Sequence, residues 1–355
     1  MKLTELYTAK AIAAYFTEAV SNRTPYLGAG LFPASKKMGL DLAWIKGHKG
    51  LPVTLMPSTF DAKARYRGRI GISRTETEMP FFREGFLIKE KDRQELLRAK
   101  ESKDPYVQDV ITRLFDDAAS LIDGAAVVPE RMRMQLLAAI GGAPSIAIKA
   151  NDTDYTYNYD PTGEFAANNY LQLTGASDKW SDTSGSDPLS DLSAAMESVE
   201  GHTGTRPSVA LMSRKTFNYL LGNERIRSAI LSQNVGANLF MTDQAVKTVL
   251  SQLLGLSIVI YTKKYVDDAG VTQPFYPDDR VTLLPSGAVG RTWYGTTPEE
   301  ADLMGSAAAS VRIVDTGVAI TTIPIAHPVN IETIASEIVL PSFERMDEVY
   351  VLEVA

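Results

Sequence analysis

The pattern that most constrains the fold is a long amphipathic helix signal that begins near residue 104. The segment D-P-Y-V-Q-D-V-I-T-R-L-F-D-D-A-A-S-L-I-D-G covers residues 104–124, and its apolar residues recur three and four positions apart. This spacing predicts a helix with one apolar face. Asp104 is a favourable N-cap, Pro105 suits the first helical position and Gly124 suits the C-terminal stop. A second helix is predicted over 129–140, so we expect a long helix with an interruption after Gly124.

A charged segment before this helix alternates with a period of two. The stretch A-K-A-R-Y-R-G-R-I-G-I-S, residues 62–73, places Lys63, Arg65, Arg67 and Arg69 on one face of a strand. The stretch M-P-F-F-R-E-G-F-L-I-K-E, residues 79–90, is predicted to be the return strand. A two-stranded hairpin with so little apolar material to bury is marginal by itself, so we expect it to need a partner surface.

The rest of the chain predicts a mixed helix and strand region. The stretch D-T-D-Y-T-Y-N-Y-D, residues 152–160, alternates like a strand, and a Gly/Ser/Asp-rich passage follows it. The last strand, D-E-V-Y-V-L-E-V, is expected to return to the region of the long helix. Helices are predicted at 188–200, 213–221, 224–233 and 241–254, and strands at 256–262 and 280–285.

Composition excludes several classes of protein. At 355 residues and 45% apolar content, the chain has enough material for one large domain or two or three ordinary ones. No apolar run approaches the ~20 residues that cross a bilayer, so no membrane partner is expected. The chain has no cysteine, which removes disulfides, thiol nucleophiles and thiolate metal sites and suits a reducing cytoplasm.

The charge is distributed unevenly. The net charge of −7 should repel nucleic acid from the surface as a whole. Residues 60–100 carry 11 Lys and Arg against 7 Asp and Glu, whereas residues 151–200 carry 10 Asp and Glu against the single Lys179. Segments of opposite sign predict contacts between copies of the chain.

These opposite charges give one hypothesis about a binding surface. The cationic stripe is expected to dock on the acidic segment of a neighbouring copy. A solvated strand face and a nucleic-acid contact are the alternatives. The predicted contact residues are Lys63, Arg65, Arg67 and Arg69 on one side and Asp152, Asp154 and Asp160 on the other.

A glycine-rich stretch, L-P-S-G-A-V-G-R-T at 284–292, invites comparison with a phosphate-binding loop. That loop requires G-x-x-x-x-G-K-[ST]. Here Pro285 stands five positions before Gly290, and Arg291 replaces the lysine. The stretch is therefore predicted to be a turn between two strands.

No other motif indicates chemistry. His48, His202 and His327 are isolated from one another, and no G-x-S-x-G surrounds a serine. Asp152 and Asp154 begin like a calcium loop, but Tyr157 occupies the position that requires glycine. The sequence therefore predicts no catalytic residue, no cofactor and no metal site.

One block resembles a known family. The segment Y-V-D-D-A-G-V-T-Q-P-F-Y-P-D-D-R-V-T-L-L-P-S-G at 265–287, with G-R-T-W-Y-G at 290–295, is similar to the lambda-type major capsid proteins of tailed bacteriophages, the major capsid protein E family. The D-P-Y start of the long helix and the chain length extend the resemblance over nearly the whole chain. The positions that fill the family's pattern are Tyr265, Pro277, Asp278, Asp279, Gly287, Tyr294 and Gly295.

The resemblance implies an α+β chain with the HK97-type capsid fold. It implies a long spine helix beside a β-sheet that includes 151–160 and 347–354. The implied regions are an N-terminal arm at 1–50, an extended E-loop hairpin at 51–95, a peripheral domain at 96–187, an axial α/β domain at 188–325 and a return to the peripheral domain at 326–355.

The resemblance also implies a function and partners. Such a chain is a structural protein, not an enzyme, that assembles in the host cytoplasm and ends in the virion capsid. It forms pentamers and hexamers of an icosahedral shell that encloses double-stranded DNA without sequence-specific binding. The implied partners are a portal, a scaffolding protein that is separate because the E-loop begins near residue 53, and, in lambda-type shells, a decoration protein. An encapsulin-like protein compartment and a soluble α/β enzyme with its site in 188–325 are the alternatives.

Overall fold

The computed structural model describes residues 7–20, 25–45, 74–92, 94, 106–150, 153–233, 241–267 and 269–355. The chain divides into two compact units. Unit 1 comprises 1–42, 76–132 and 291–342, and unit 2 comprises 43–75, 133–290 and 343–355.

The elements are numbered in chain order. The α-helices are α1 (Ala9–Val20), α2 (Leu27–Leu31), α3 (Tyr106–Ala138), α4 (Glu164–Asn168), α5 (Pro188–Thr203), α6 (Arg214–Gly222), α7 (Glu224–Gln233) and α8 (Asp243–Leu254). The strands are β1 (Ala34–Lys36), β2 (Asp41–Ile45), β3 (Arg74–Glu78), β4 (Phe81–Ile88), β5 (Ser145–Ala150), β6 (Thr153–Asn158), β7 (Tyr170–Gln172), β8 (Val209–Met212), β9 (Ser257–Ile260), β10 (Lys264–Val266), β11 (Thr272–Pro274), β12 (Arg280–Leu284), β13 (Arg291–Tyr294), β14 (Ser310–Val314), β15 (Val318–Ile325), β16 (Asn330–Ser342) and β17 (Tyr350–Glu353). Short 3₁₀ turns cover Ile140–Gly142 and Met346–Glu348, and a π-helical turn covers Glu299–Leu303.

Unit 1 is built around the 13-residue strand β16. Its sheet has the order β1-β13-β16-β15-β14, and β4 also pairs with β16. The helix α1 and the apolar face of α3 pack on this sheet. Their shared core includes Tyr7, Ile12, Phe16, Ala118, Ile122, Ile320 and Ile331.

The return strand of the predicted hairpin exists, and the structure pairs it with β16. β4 pairs antiparallel with β16 from Ile88↔Ile331 to Phe81↔Ile338. Ile88 is buried in the core of unit 1, and the missing side chain of Gly85 lets β4 lie close to the backbone of β16. The expected partner strand at 62–73 lies outside the described residues, as do Lys63, Arg65, Arg67 and Arg69.

The predicted interruption of the long helix is wrong. α3 runs without a break for 33 residues through Gly124 and Pro129. A proline inside a helix removes one hydrogen bond and costs about 3 kcal/mol or more. Packing on the C-terminal side of this proline offsets the cost, because Pro129 and nearly all of residues 130–139 are buried. The helix ends at Ala138, close to the predicted end at residue 140, where Ala139 adopts a left-handed conformation at φ 42°.

Unit 2 is an α/β unit with the predicted helices in place. Its five-stranded sheet has the order β7-β17-β12-β8-β9, and β12 is buried along its whole length. Side-chain caps begin three of its helices: Asp187 at α5, Ser213 at α6 and Thr242 at α8 each accept a backbone N–H. The core of unit 2 includes Trp180, Leu192, Met196, Phe217, Leu220 and Leu250.

The last strand joins the sheet of unit 2, the unit that also contains residues 133–138 at the C-terminal end of α3. It does not share a sheet with 151–160, whereas the resemblance implied a shared one. β17 pairs with β12 and β7 inside unit 2, and Tyr350, Val351 and Leu352 are buried there. A continuous apolar run suits such an interior strand. The predicted division at residue 325 also differs from the two compact units, because 291–342 belongs to unit 1. β5 and β6, which include the predicted tyrosine strand, form a separate two-stranded sheet.

Candidate assembly surfaces

The structure describes part of the predicted acidic contact set. Asp152 lies outside the described residues, and for Asp154 only the backbone, in β6, is described. Asp160 is buried, with 3% of its surface exposed, and its Oδ2 accepts the backbone N–H of Ala166 at 3.1 Å. Asp160 thus supports α4 inside the chain. The pairing of the cationic stripe with these three aspartates stays a prediction.

An ordered acidic loop precedes α5 within the acidic segment. We call residues 174–187 the acidic loop. Asp182 Oδ1 accepts the backbone N–H groups of Ser184 and Gly185, both at 3.1 Å, and the Ser184 hydroxyl at 2.8 Å. These hydrogen bonds lower the pKa of the Asp182 carboxyl, with the serine hydroxyl as the largest cause. The loop therefore presents a carboxylate whose position is set by hydrogen bonds.

The start of α5 carries two further carboxylates. Asp187 forms an ion pair with Arg225 at 3.0 Å. Asp191 accepts a hydrogen bond from Trp180 Nε1 at 2.9 Å, and its burial raises the pKa of the Asp191 carboxyl. Asp187 and Asp182 are half-buried and bonded within the chain, and Asp178 is the exposed carboxylate of the acidic loop.

The glycine-rich stretch is the predicted turn between two strands. β12 ends at Leu284, β13 begins at Arg291, and Gly287 takes φ 85° between them. Arg345 Nη1 donates to the carbonyl oxygens of Ser286 and Ala288, both at 3.0 Å. A phosphate cradle requires backbone N–H groups that point at the ligand. Here carbonyl oxygens converge on a guanidinium, so the turn serves the fold.

The segment 265–295, which resembles the capsid family, contains a buried polar cluster that was not predicted from the sequence. Arg280, at the start of β12, donates to the carbonyl oxygens of Ala138 and Ala139 at 3.2 and 3.3 Å and to Glu353 at 2.6 Å. Thr282 donates to the carbonyl oxygen of Leu137 at 2.7 Å. The carbonyls of Leu137 and Ala138 are among those that a helix leaves unpaired at its C-terminus, whereas the Ala139 carbonyl also accepts the backbone N–H of Gly142 at 2.9 Å. The end of α3 is thereby capped by side chains from a strand distant in sequence.

A second cluster holds the residue before Arg280. Asp279 has a left-handed backbone with φ 63°, which is uncommon for a residue other than glycine. Its carboxylate accepts Lys215 Nζ at 2.7 Å and the Tyr219 hydroxyl at 2.9 Å, and its backbone N–H donates to Thr216 at 2.9 Å. Asp279 thus connects the sheet of unit 2 to α6.

A short hairpin in the same block has an apolar tip. β10 and β11 pair, and Asp267 Oδ1 accepts the backbone N–H groups of Ala269 and Val271 at 3.1 and 2.8 Å. Val266 is 64% exposed and Val271 is 51% exposed. The hairpin therefore presents apolar surface on a turn that the chain itself stabilises.

Among the described residues, no helix is long and apolar enough to span a bilayer. In the same part of the chain, no group of three or more His, Asp or Glu side chains is placed to hold a metal ion.

Comparisons with solved structures agree with this architecture. The fold is similar to a protein assigned as the capsid protein of a prophage from E. coli CFT073, with a TM-score of 0.58, 13% identity and coverage of 98% of this chain and 99% of the other. It is also similar to a phage-related protein from Bordetella bronchiseptica RB50, with a TM-score of 0.56, 14% identity and coverage of 96% and 97%. These likenesses confirm the expected α+β fold of the HK97 type. No curated protein matches the chain.

The comparison with family models identifies the chain more directly than the structural likenesses do. The model described as phage major capsid protein E matches residues 8–354, which include the capped end of α3, the hairpin and the glycine-rich turn. The chain therefore belongs to the phage major capsid protein E family.

Proposed function

We propose that this major capsid protein assembles into pentamers and hexamers that close into an icosahedral shell around double-stranded DNA. The observation that carries the proposal is the family match over residues 8–354. The two-unit fold supports it, because the predicted spine helix, the return strand β4 and the helices of the α/β unit are present. The strands at 151–160 and 347–354 lie in different sheets, and the E-loop strand at 62–73 lies outside the described residues.

We assign the two units to the two domains of a shell subunit. Unit 1, with most of α3 and the long strand β16, corresponds to the peripheral domain. Unit 2, with its five-stranded sheet and four flanking helices, corresponds to the axial domain. This assignment moves residues 291–325 from the predicted axial domain to the peripheral domain.

The cationic stripe is proposed to set the register between neighbouring subunits. Lys63, Arg65, Arg67 and Arg69 would face the acidic segment of the next subunit, with Asp152, Asp154 and Asp160 as the original candidates. We add Asp178 of the acidic loop, which is exposed, and Asp182, which is half-buried; Asp160 is the weakest member because it is buried. Exposed pairs contribute only about 0.2–1 kcal/mol each, so they select geometry more than they supply affinity.

The remaining parts of the proposal concern partners and place. We infer a separate scaffolding protein and a portal, assembly in the host cytoplasm, and a shell that performs no catalysis. The net charge of −7 supports a lumen that does not bind the packaged DNA tightly. A decoration protein at the three-fold positions is a further candidate partner.

The test is to purify the chain with and without its candidate scaffold and to examine it by sizing and negative-stain microscopy. Rings of five or six subunits, tubes or closed shells are expected, with assembly that depends on concentration. A monomer or dimer at every concentration, with scaffold present, contradicts the proposal and favours a soluble enzyme. A shell that fills with protein and never with DNA favours the encapsulin-like compartment.

The stripe is tested by the double charge reversal R65E/R67E. Assembly should fail or give aberrant particles, and reversal of Asp178 and Asp182 to lysine should restore part of it. The matched control is R206E, because Arg206 pairs with Glu200 in its own chain on an exposed surface. Normal shells from R65E/R67E would rule out the register role.

A further inference from the structure

A two-stranded sheet in unit 2 stands apart from the larger sheets. β5 and β6 pair antiparallel from Ser145↔Asn158 to Ala150↔Thr153, and they share no strand with the five-stranded sheet of the same unit. Two strands alone are marginally stable, and a third strand or a packed helix is needed for independent stability. The two edges of this sheet therefore decide whether it can be extended.

The edge formed by β5 is closed within the chain. Ile146 and Ile148 are buried, and the side-chain amide of Gln135, in α3, lies along the strand. Gln135 Nε2 donates to the carbonyl oxygen of Ala147, and Gln135 Oε1 accepts the backbone N–H of the same residue, both at 3.0 Å. This side chain occupies the place of a neighbouring strand. The backbone groups of Ala147 therefore point away from β6.

The edge formed by β6 is open. Thr156 lies opposite Ala147, so its backbone N–H and C=O also point away from the other strand. The same holds for Asn158, which lies opposite Ser145. Within the described part of the chain no hydrogen bond uses these backbone groups, and both residues are exposed. Neither position holds the proline or lysine with which proteins commonly protect an open edge.

Two tyrosines favour a second copy of β6 as the partner of this edge. Tyr155 and Tyr157 are half-buried, and their rings stack with centroids 6.5 Å apart and an interplanar angle of 11°. When β6 pairs antiparallel with itself so that Thr156 faces Thr156, each Tyr155 lies opposite Tyr157 of the other copy. Cross-strand aromatic pairs of this kind stabilise a sheet. The stack of two rings would thereby continue across the contact as a row of four.

The same register is compatible with the charges of the strand. β6 reads T-D-Y-T-Y-N, so Asp154 lies opposite Asn158 of the other copy in this pairing. Like charges directly opposite each other would destabilise a sheet, and this register places no two aspartates in that relation. The edge is therefore self-complementary in its backbone groups, its aromatic residues and its charge.

We propose that β6 of one subunit pairs antiparallel with β6 of a neighbouring subunit, so that two sheets of two strands merge into one of four. The inference rests on the proposed function, because the shell supplies the second copy. The contact is isologous, with the same residues on both sides, and it requires a two-fold axis. Rings of five or six subunits are built by heterologous contacts, so the β6 contact would join one ring to the next.

The absence of cysteine from the chain allows a direct test. Thr156 and its copy form a hydrogen-bonded pair with Cα atoms about 5.5 Å apart, which a disulfide can span. Oxidised shells of T156C should therefore contain disulfide-linked dimers. The matched control is A147C, which is exposed on the same face of the sheet but lies three strand spacings, roughly 14 Å, from its copy.

A further control tests the register. In the proposed pairing Asn158 lies four residues out of step with its own copy, so the two Cα atoms are roughly 14 Å apart. Shells of N158C should give no dimer above the level of A147C. An N158C dimer as abundant as that of T156C overturns the proposed register and the pairing of the tyrosines.

A second readout uses the unmodified chain. Pairing covers the backbone N–H groups of Thr156 and Asn158, so their exchange with deuterium should be at least roughly tenfold slower in shells than in free subunits. The N–H of Ala147 is the internal control, because it is bonded to Gln135 in both states. Shells of the unmodified chain without slower exchange at Thr156 overturn the β6 contact alone, as does a dimer yield from T156C no higher than that from A147C. Failure of the unmodified chain to form any ring or shell overturns the proposed function and this contact together.

Discussion

The capped end of α3 gives the most direct prediction about stability. Replacing Arg280 with methionine keeps the apolar stem of the side chain and removes its five donors. The Ala138 carbonyl oxygen then loses this donor, the Ala139 carbonyl oxygen keeps the backbone N–H of Gly142, and the carboxylate of Glu353 loses its ion pair. We expect R280M to destabilise unit 2 strongly without changing its packing volume.

The size of the loss follows from burial. The side chains of Arg280 and Glu353 are only 10% and 21% exposed, so water replaces the lost hydrogen bonds poorly. Removing one partner of a buried pair costs about 3–5 kcal/mol. Glu353 keeps hydrogen bonds from Tyr170 and Gln172, which places the expected loss at about 3 kcal/mol. R280K should recover less than half of it, because an ammonium group cannot reproduce the forked geometry.

The assay is equilibrium unfolding in urea of the unassembled subunit. Trp44 and Trp293 are replaced by phenylalanine, so that Trp180, which is fully buried in the core of unit 2, reports on that unit. The matched control is R206M, because Arg206 and Glu200 form an exposed pair, 43% and 47% exposed, that should contribute less than about 1 kcal/mol.

Two outcomes would refute this reasoning. One is a midpoint for R280M that falls no further than that of R206M. The other is a double variant R280M/E353Q that is as stable as E353Q alone, because the arginine would then contribute nothing beyond its ion pair.

Three further predictions concern single side chains. G317A should lower the free energy of unfolding by about 1–3 kcal/mol, because the new Cβ would lie 2.5 Å from Tyr294 Cβ. G124A should raise the free energy of unfolding by about 0.5–1 kcal/mol, because Gly124 occupies an open position within a helix. The urea midpoints of the two variants test both expectations. T282V should lower the free energy of unfolding by about 1–3 kcal/mol in the same assay, because it leaves the carbonyl oxygen of Leu137 and the hydroxyl of Tyr276 without their partner. The control is S193A, which removes a hydrogen bond on the surface of α5 and should change the free energy of unfolding little. Burial raises the pKa of Tyr7 to about 12, so the folded state favours the neutral phenol: the resulting stabilisation of about 3 kcal/mol is complete below pH 10 and is lost as the pH rises to about 12. Y7F should unfold with a shallower pH dependence over that window, and an unchanged slope in thermal unfolding contradicts this assignment.

Local patterns predicted the helices of unit 2 well, because caps and breakers are encoded next to the elements they bound. Asp187, Ser213 and Thr242 all act as the caps that their positions favour. Gly124 and Pro129 misled the same reasoning, since a helix with a well-packed C-terminal half tolerates both. Propensity is a weak guide where tertiary packing decides the outcome.

Long-range pairing was the part that local patterns did not reveal. β4 has the composition of a strand, but nothing in residues 79–90 indicates that its partner is 330–342. For the same reason the capping role of Arg280 was missed, because its acceptors lie more than 140 positions away in sequence. A basic residue at the start of a mostly apolar strand was the one local signal that could have marked it. The predicted contact residues at 63–69 stay a prediction.

The hairpin of β10 and β11 has a consequence for how fast subunits join. Asp267 already orders the turn behind Val266 and Val271, so a partner that covers this tip does not wait for a loop to fold. The rate of such an encounter is limited by the relative orientation of the two surfaces, with typical association rate constants of about 10⁵–10⁷ M⁻¹s⁻¹. Differences in affinity between contacts made by this tip should therefore appear mainly in the dissociation rate constant. A wrongly placed subunit would be rejected because it leaves the growing shell faster, and not because it arrives more slowly.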